Sequence, residues 1–220
     1  MAAPPQVEVR VPGVFCDANG DFGNPLGVVL DGPLVAGDDR QALARHLGYS
    51  ETVFVDDAPG GRIAIYTPEV ELPFAGHPCV GTAWMLLGEG HAIDALRPPA
   101  GRVPVRRDEE LVWVAARPEW CPEWELVQYG SPEEIDALSV ATDCFRYVWA
   151  FVDEEAGIVR ARCFVSEVGI EEDEATGSAA LPLCASLGRP IEVRQGKGSV
   201  IHARPLEDGT VEIGGLVVEG

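Results

Sequence analysis

Residues 71–89, with the sequence ELPFAGHPCVGTAWMLLGE, combine residue types that can bind an anion inside a protein. Pro78 suits a first helical turn because its missing N–H would have no partner there, and Gly76 lets another group approach the backbone closely. Residues 79–87 are apolar nearly throughout, which is typical of a helix buried in a core. The free N–H groups at such an interior helix terminus would hold a carboxylate. A simpler interpretation, a core helix that begins beside His77, stays open at this point.

A second stretch, residues 174–188 with the sequence EATGSAALPLCASLG, repeats this pattern in the other half of the chain. When Gly76 is aligned with Gly177, His77 aligns with Ser178, and apolar residues follow in both copies. In each half, a short polar helix and two strands precede the apolar helix, and two strands follow it. An internal duplication of this kind fixes the architecture of a chain. We therefore predict that the two helix N-termini face one cleft.

The predicted fold class is α+β, with two pseudo-symmetric halves, each a β-barrel-like sheet wrapped around a central apolar helix. A chain of 220 residues is long enough for two small units that each have a core. The predicted N-terminal half spans residues 1–115 with its helix at 78–87. The predicted C-terminal half spans residues 116–220 with its helix at 178–187, and the last strands can cross back to the first half. Pro182 predicts a local distortion within the second helix.

Composition limits the classes of function. The net charge of −20 argues against nucleic acid or an anionic membrane as a partner, because both require positive potential. No segment approaches the roughly 18 apolar residues of a membrane span, and residues 1–10 lack the charged start and apolar run of a signal peptide. These features predict a cytoplasmic protein whose anionic ligand would be bound by local backbone donors.

Cysteine and histidine spacing does not suggest a metal site. The six cysteines form no CxxC pair, and the four histidines form no HExxH motif. The sequence therefore predicts reduced thiols, no metal and no cofactor. The cysteines are Cys16, Cys79, Cys121, Cys144, Cys163 and Cys184.

The remaining pattern predicts strands and short helices around the two apolar helices. Strands are expected at 7–14, 26–30, 52–55, 62–66, 102–106, 111–115, 146–152, 158–165, 191–194, 199–203 and 210–218. Residues 131–134 form a capping box that opens a helix, and residues 171–174 are expected to form an acidic loop. Glu51 lies where a loop enters the strand at 52–55, and its simplest interpretation is a solvated carboxylate.

The segments SETVFV, ELPFAGHPCVGTA and EDEATGSAA, with FGNPLGVV near the start, occur in an order that resembles the phenazine-biosynthesis isomerase family (PhzF-like). That family shares its fold with diaminopimelate epimerase and proline racemase. The resemblance implies an active site in the cleft between the halves, proton transfer without a cofactor, and usually a homodimer. The function it implies is isomerisation or epimerisation of a small carboxylate-bearing metabolite.

By this resemblance, Glu51 is expected to be the general acid/base that moves a proton between carbons of the substrate. His77, Asp173 and Ser178 would surround the substrate, with Asp173 accepting a hydrogen bond from an amine or hydroxyl. Proton transfer near neutral pH would require burial to raise the pKa of Glu51. The residues expected to bind the substrate are Ser50, Gly76 and Gly177.

Two features depart from the family pattern. Glu174 stands where the family usually has a proline, which is expected to place a negative charge beside the site. The segment QGKGSVIH is shorter than its usual counterpart, and these departures leave the substrate unspecified.

Two other readings remain open. A two-cysteine racemase of the same fold would need one thiol at the start of each apolar helix. Cys79 and Cys184 have no symmetric partners, so we expect both to be core residues. From another class, the alternative is a non-catalytic small-molecule-binding or scaffold protein that kept the fold.

Overall fold

The computed structural model describes residues 7–140, 145–166 and 170–220, so Cys144 lies outside the described residues. Within these ranges the chain forms four α-helices: α1 Gly37–Leu47, α2 Gly76–Gly88, α3 Pro132–Asp136 and α4 Gly177–Leu187. The strands that precede α3 are β1 Gly13–Cys16, β2 Asn24–Pro25, β3 Gly27–Val29, β4 Thr52–Asp57, β5 Arg62–Tyr66, β6 Glu71–Leu72, β7 Ala95–Leu96, β8 Val103–Asp108, β9 Leu111–Ala116 and β10 Glu125–Gln128. The strands that follow are β11 Arg146–Asp153, β12 Ile158–Val165, β13 Ile170–Asp173, β14 Ile191–Gln195, β15 Ser199–Pro205 and β16 Val211–Val218.

The same order of strand pairing occurs twice. β3 pairs parallel with β4, β4 pairs antiparallel with β5, and β5 pairs antiparallel with β6 before α2 begins. Likewise, β10 pairs parallel with β11, β11 antiparallel with β12, and β12 antiparallel with β13 before α4 begins. A short helix, α1 or α3, separates each parallel pair in sequence. The fold class is therefore α+β with two pseudo-symmetric halves.

Strand β16 joins the two repeats. It pairs antiparallel with β15, with β9 and with β1, so the last strand of the chain lies beside strands from its beginning. The resulting sheet has 12 strands, while β3, β4, β5 and β6 form a separate sheet of four. A boundary between the halves at residue 115 remains a prediction.

The two apolar helices are buried, and no side chain caps either N-terminus. They begin slightly earlier than the sequence indicated, at Gly76 rather than Pro78 and at Gly177 rather than Ser178. In α2 the reason is that Ala75 has an extended backbone and its carbonyl already accepts a hydrogen bond from the N–H of Cys79. α4 continues through Pro182 to Leu187, so the expected distortion does not interrupt the helix.

Of the other local predictions, one is confirmed and two are wrong in whole or in part. The capping box is confirmed, since Oγ of Ser131 accepts a hydrogen bond from the N–H of Glu134 at 3.3 Å. The expected strand at 7–14 is mostly wrong, because β1 begins only at Gly13 and Arg10 forms an isolated bridge with Val28. The expected acidic loop is also wrong in part, because its residues up to Asp173 belong to β13. In the described part of the chain, no helix has the length and apolar character needed to cross a membrane.

Candidate active site

The N-termini of α2 and α4 meet at two glycines. A Cβ added to Gly76 would lie 3.1 Å from the Cα of Gly177, and one added to Gly177 would lie 3.2 Å from the N of His77. Either Cβ would also press against Cδ1 of Ile213. Only glycine allows the two backbones to approach this closely. Ser178 follows in the first turn of α4 and is partly exposed, so the structure places His77 and Ser178 one residue beyond the contact on each helix.

Glu51 precedes β4 directly and contacts the first turn of α2. Its Oε2 lies 3.1 Å from Nδ1 of His77, and the two side chains are 19% and 4% exposed. The Nε2 of His77 and the Oγ of Ser50 are both buried. Among the described residues Nε2 has no hydrogen-bond partner, whereas the Ser50 side chain acts on the Glu51 carboxylate. Buried polar atoms are normally satisfied, so Nε2 of His77 is available to a bound molecule.

The pKa of Glu51 shifts in the direction opposite to the expectation. Burial acts to raise this pKa, but the hydrogen bond and charge of His77, together with a hydrogen bond from Ser50, outweigh burial, so the net pKa lies below its ordinary value. The expectation of a raised pKa was therefore wrong, because it counted burial and omitted the imidazole. Glu51 is consequently ionised at neutral pH and can accept a proton, but as a weaker base than a carboxylate with a raised pKa would be.

Asp173, at the end of β13, is the carboxyl group with the raised pKa. Burial, followed by the negative charge of Glu51, raises the pKa of Asp173 to about 6. Its Oδ1 accepts a hydrogen bond from Nδ2 of Asn24 at 3.0 Å, and its Oδ2 accepts one from Oγ1 of Thr176 at 2.6 Å. Asp173 lies close enough to Glu51 and His77 for both charges to act on its pKa, so the three residues are near one another.

Four residues around Asp173 were not singled out from the sequence. Asn24 and Thr176 bind its carboxylate, and Gln195 binds both Thr176 and the carbonyl of Asp173. Tyr147 in turn donates to Gln195. One signal was present in the sequence. Residues 191–194 alternate between apolar and polar, and Gln195 takes the next position in line with Ile191 and Val193, on the face of β14 that is buried. A polar side chain on the core face of a strand indicates a hydrogen-bond network.

The two departures from the family pattern, Glu174 and the segment at residues 195–202, contact each other. Oε1 of Glu174 accepts a hydrogen bond from the backbone N–H of Lys197 at 2.5 Å, in the turn between β14 and β15. A Cβ at Gly196 would overlap the Glu174 carboxylate, so the turn is shaped to receive it. Burial raises the pKa of Glu174, with the Lys197 N–H acting against it. The Glu174 carboxylate is therefore engaged by the turn between β14 and β15.

The helix cysteines are core residues. Cys79 and Cys184 are fully buried, and burial raises the pKa of each thiol to about 12. A thiolate is the reactive form of cysteine, and at neutral pH neither residue would supply it. The site therefore favours carboxylate chemistry over a pair of cysteines.

Comparison with known proteins identifies the family of this chain. Residues 14–118 match the protein family described as Phenazine biosynthesis-like protein, PhzC-PhzF. The trans-2,3-dihydro-3-hydroxyanthranilate isomerase of Pseudomonas aeruginosa is 30% identical over 219 residues, covering 80% of this chain and 78% of that protein.

Solved structures show the same fold. A phenazine biosynthesis PhzC/PhzF protein from Clostridium difficile has a TM-score of 0.78 at 19% identity, covering 98% of this chain and 97% of the other. A protein from Pseudomonas aeruginosa described as a predicted epimerase has a TM-score of 0.76 at 23% identity, with coverage of 98% and 97%. The chain therefore belongs to the phenazine biosynthesis-like (PhzF) family and is an isomerase of that family.

Proposed function

We propose that the protein is a cofactor-independent isomerase or epimerase that moves a proton on a small carboxylate-bearing metabolite by general acid/base catalysis. The observation that supports this most is the 3.1 Å contact between the Glu51 carboxylate and His77, beside two helix N-termini that meet without side-chain caps. The proposed catalytic residues are Glu51, His77, Asp173 and Ser178, and the proposed substrate-binding residues are Ser50, Gly76 and Gly177.

The substrate carboxylate would bind where α2 and α4 meet. Each helix N-terminus carries unpaired N–H groups and the positive end of a helix dipole, worth about 0.3–1 kcal/mol towards an anion at exposed positions. With a net charge of −20, the protein offers no general positive field, so these local donors would have to bind the anion. The unpartnered Nε2 of His77 and the hydroxyl of Ser50 are further groups that can hydrogen-bond to it.

Glu51 would then move the proton. As a carboxylate, it removes a proton from a substrate carbon, and the electron pair left behind delocalises into the adjacent unsaturated or carboxylate group. The protonated Glu51 returns a proton to a carbon of the same molecule, so the composition of the product equals that of the substrate. Asp173 would accept a hydrogen bond from a substrate amine or hydroxyl and so fix which carbon faces Glu51.

Incubation with a panel of cyclic and amino carboxylic acids in heavy water tests this proposal. The panel includes trans-2,3-dihydro-3-hydroxyanthranilate, the compound in the name of the Pseudomonas aeruginosa relative. We expect deuterium uptake at carbon with the wild-type protein and not with Glu51→Gln. Equal uptake by both would assign the proton to another residue. Specific binding without uptake across the whole panel would favour a non-catalytic binding protein.

We further propose a homodimer, as the family resemblance implies, and a cytoplasmic location. Sedimentation equilibrium would distinguish a chain of 23.5 kDa from an assembly of twice that mass. A single species at the mass of one chain, over the micromolar range, would contradict the dimer.

A further inference from the structure

Gln195 is a fully buried amide whose side-chain atoms are all engaged by groups next to Asp173. Its Oε1 accepts from the hydroxyl of Tyr147 at 2.9 Å and from the backbone N–H of Thr176 at 3.1 Å. Its Nε2 donates to the backbone carbonyl of Asp173 at 2.9 Å and to Oγ1 of Thr176 at 2.8 Å. The Thr176 N–H can only donate and the Asp173 carbonyl can only accept, so the amide has one permitted orientation.

The orientation of the Gln195 amide determines the direction of the hydrogen bond between Thr176 and Asp173. Because Nε2 of Gln195 donates to Oγ1 of Thr176, the lone pair on that side of the oxygen is occupied. The hydroxyl proton of Thr176 is then directed to Oδ2 of Asp173, 2.6 Å away. A bond donated in this direction stabilises the ionised form of the carboxyl group. Thr176 is 6% exposed, so water competes little for its hydroxyl.

We propose that Gln195 is a positioning residue that acts through the Thr176 hydroxyl to hold Asp173 in the site as a hydrogen-bond acceptor. Within the described residues, Gln195 forms no hydrogen bond with Glu51 or His77, and its effect passes through the loop that joins β13 to α4. The catalytic consequence rests on the proposed function, whereas the effect on Asp173 does not.

The groups that act on Asp173 come from several elements. Glu51, before β4, raises its pKa, and His77, in α2, lowers it. Asn24 in β2 lowers it by donating to Oδ1. Cys163 in β12 stands opposite Asp173 in the strand pairing, and Tyr147 in β11 has its own pKa raised by burial first and by Cys163 and Asp173 next. Of these groups, Tyr147 is the one hydrogen-bonded to Gln195, which is why a Tyr147 variant serves as the control.

Four variants separate positioning from simple stability. Gln195→Met keeps the length of the side chain and removes all its hydrogen bonds. Thr176→Val removes the hydroxyl, and Thr176→Ser retains it. Tyr147→Phe is the matched control, because it removes one hydrogen bond from the same glutamine while leaving the bond from Nε2 to Thr176 intact.

The pKa of Asp173 would be measured in each protein by carbon-13 NMR of labelled aspartate, with Asp173→Asn assigning the resonance. We expect this pKa to rise by about one unit in Thr176→Val and about half a unit or more in Gln195→Met, since a hydrogen bond to the charged form is lost or loosened. We expect a change under about 0.3 units in Tyr147→Phe and in Thr176→Ser, where the same bond is kept. Equal shifts in Gln195→Met and Tyr147→Phe, or no shift in Thr176→Val, would overturn the proposal.

A wild-type measurement covers the case in which Gln195→Met does not fold. The hydroxyl proton of Thr176 should exchange slowly with water and show a nuclear Overhauser contact to the side-chain amide of Gln195. Rapid exchange, or absence of that contact, would overturn the proposal that Gln195 acts through the Thr176 hydroxyl.

Activity provides a second readout. With a substrate identified, the acidic limb of the kcat/KM profile should move to higher pH in Thr176→Val and return in Thr176→Ser. If no compound takes up deuterium, the proposed function fails while the NMR result still decides the role of Gln195.

Discussion

Glu51 and Asp173 are two carboxyl groups of one cluster whose pKa values are displaced in opposite directions. Burial acts to raise the pKa of Glu51 but is outweighed by His77, whereas burial and the charge of Glu51 raise the pKa of Asp173 to about 6. Environments that separate the pKa values of neighbouring acids often assign them different roles in catalysis. Glu51 stays ionised at neutral pH and can act as a base, whereas Asp173 becomes protonated as the pH falls through about 6.

Replacement of Asp173 by asparagine should alter how stability depends on pH. The native pKa of about 6 exceeds the value of about 3.9 expected in the unfolded chain, so the folded protein binds more protons between these values. The contribution of Asp173 to stability is fully present below about pH 3.9 and is lost as the pH rises through about 6. Asparagine does not titrate, so the variant lacks this pH-dependent contribution to stability.

Urea unfolding of wild type and Asp173→Asn at several pH values from 4 to 8 would measure this effect. The free energy of unfolding of the variant relative to wild type should increase with pH and level off above about 7. A relative free energy that is constant or decreases over this range would contradict the raised pKa.

Sequence motifs located the acidic and helix-terminal residues of this site but not the groups that control them. Glu51, His77 and Asp173 were identified by their motifs, and the structure brings them into one electrostatic cluster. The sign of the pKa shift at Glu51 could not be foreseen, because it depends on a 3.1 Å contact with a residue 26 positions away. The role of Gln195 was likewise hidden, since its partners come from two other strands and a loop.

At the scale of elements, the site depends on how closely α2 approaches α4. Gly76→Ala would place a methyl group against Ile213 and 3.1 Å from the backbone of Gly177. Because that backbone cannot yield as a flexible side chain would, we expect a loss of about 1–3 kcal/mol in the free energy of unfolding. Chemical denaturation of wild type and variant would measure this loss of stability.

Gly88→Ala is the matched control in the same helix. Gly88 is exposed at the end of α2, and a Cβ there would meet nothing within 4 Å. Alanine should leave stability unchanged or raise it by up to about 1 kcal/mol. Equal effects of the two substitutions would show that the helices do not meet as described.

The two apolar helices were predictable because a helix made almost entirely of apolar residues has no polar face to present to solvent. Their starts were displaced by one or two residues, since helix bounds depend on backbone geometry at Ala75 and Thr176 rather than on the position of Pro78. Strands of two to four residues, such as β1 and β2, were the least predictable elements. Their pairing with distant strands, rather than local sequence, fixes where they begin.

At the scale of the whole molecule, the internal repeat was predictable and the connection between its copies was only partly so. The repeated glycine-led helices indicated two similar halves, and the strand pairing repeats accordingly. The position of β16 between β9 and β15 depends on contacts across more than ninety residues, as in the pairing of Ile213 with Val114. No local pattern in the sequence encodes such a pairing.

A division of the chain at residue 115 is testable because β16 supplies a neighbour to both β1 and β9. We expect a fragment of residues 1–115 alone to lack a cooperative unfolding transition, since its sheet would end in unpaired edges. Mixed with residues 116–220, it should regain a dispersed amide NMR spectrum. A well-dispersed spectrum from the first fragment alone would show that the half does not need β16.

The deuterium-uptake rate of Glu51→Gln tests most directly whether Glu51 moves the proton. With a compound that the wild type exchanges, we expect this variant to lose at least about 100-fold in rate, the lower range for general acid/base catalysis. Glu207→Gln, which changes an exposed glutamate after β15, should exchange at the wild-type rate. Glu51→Gln that folds, binds the compound and exchanges within a few-fold of wild type would contradict the assignment of Glu51.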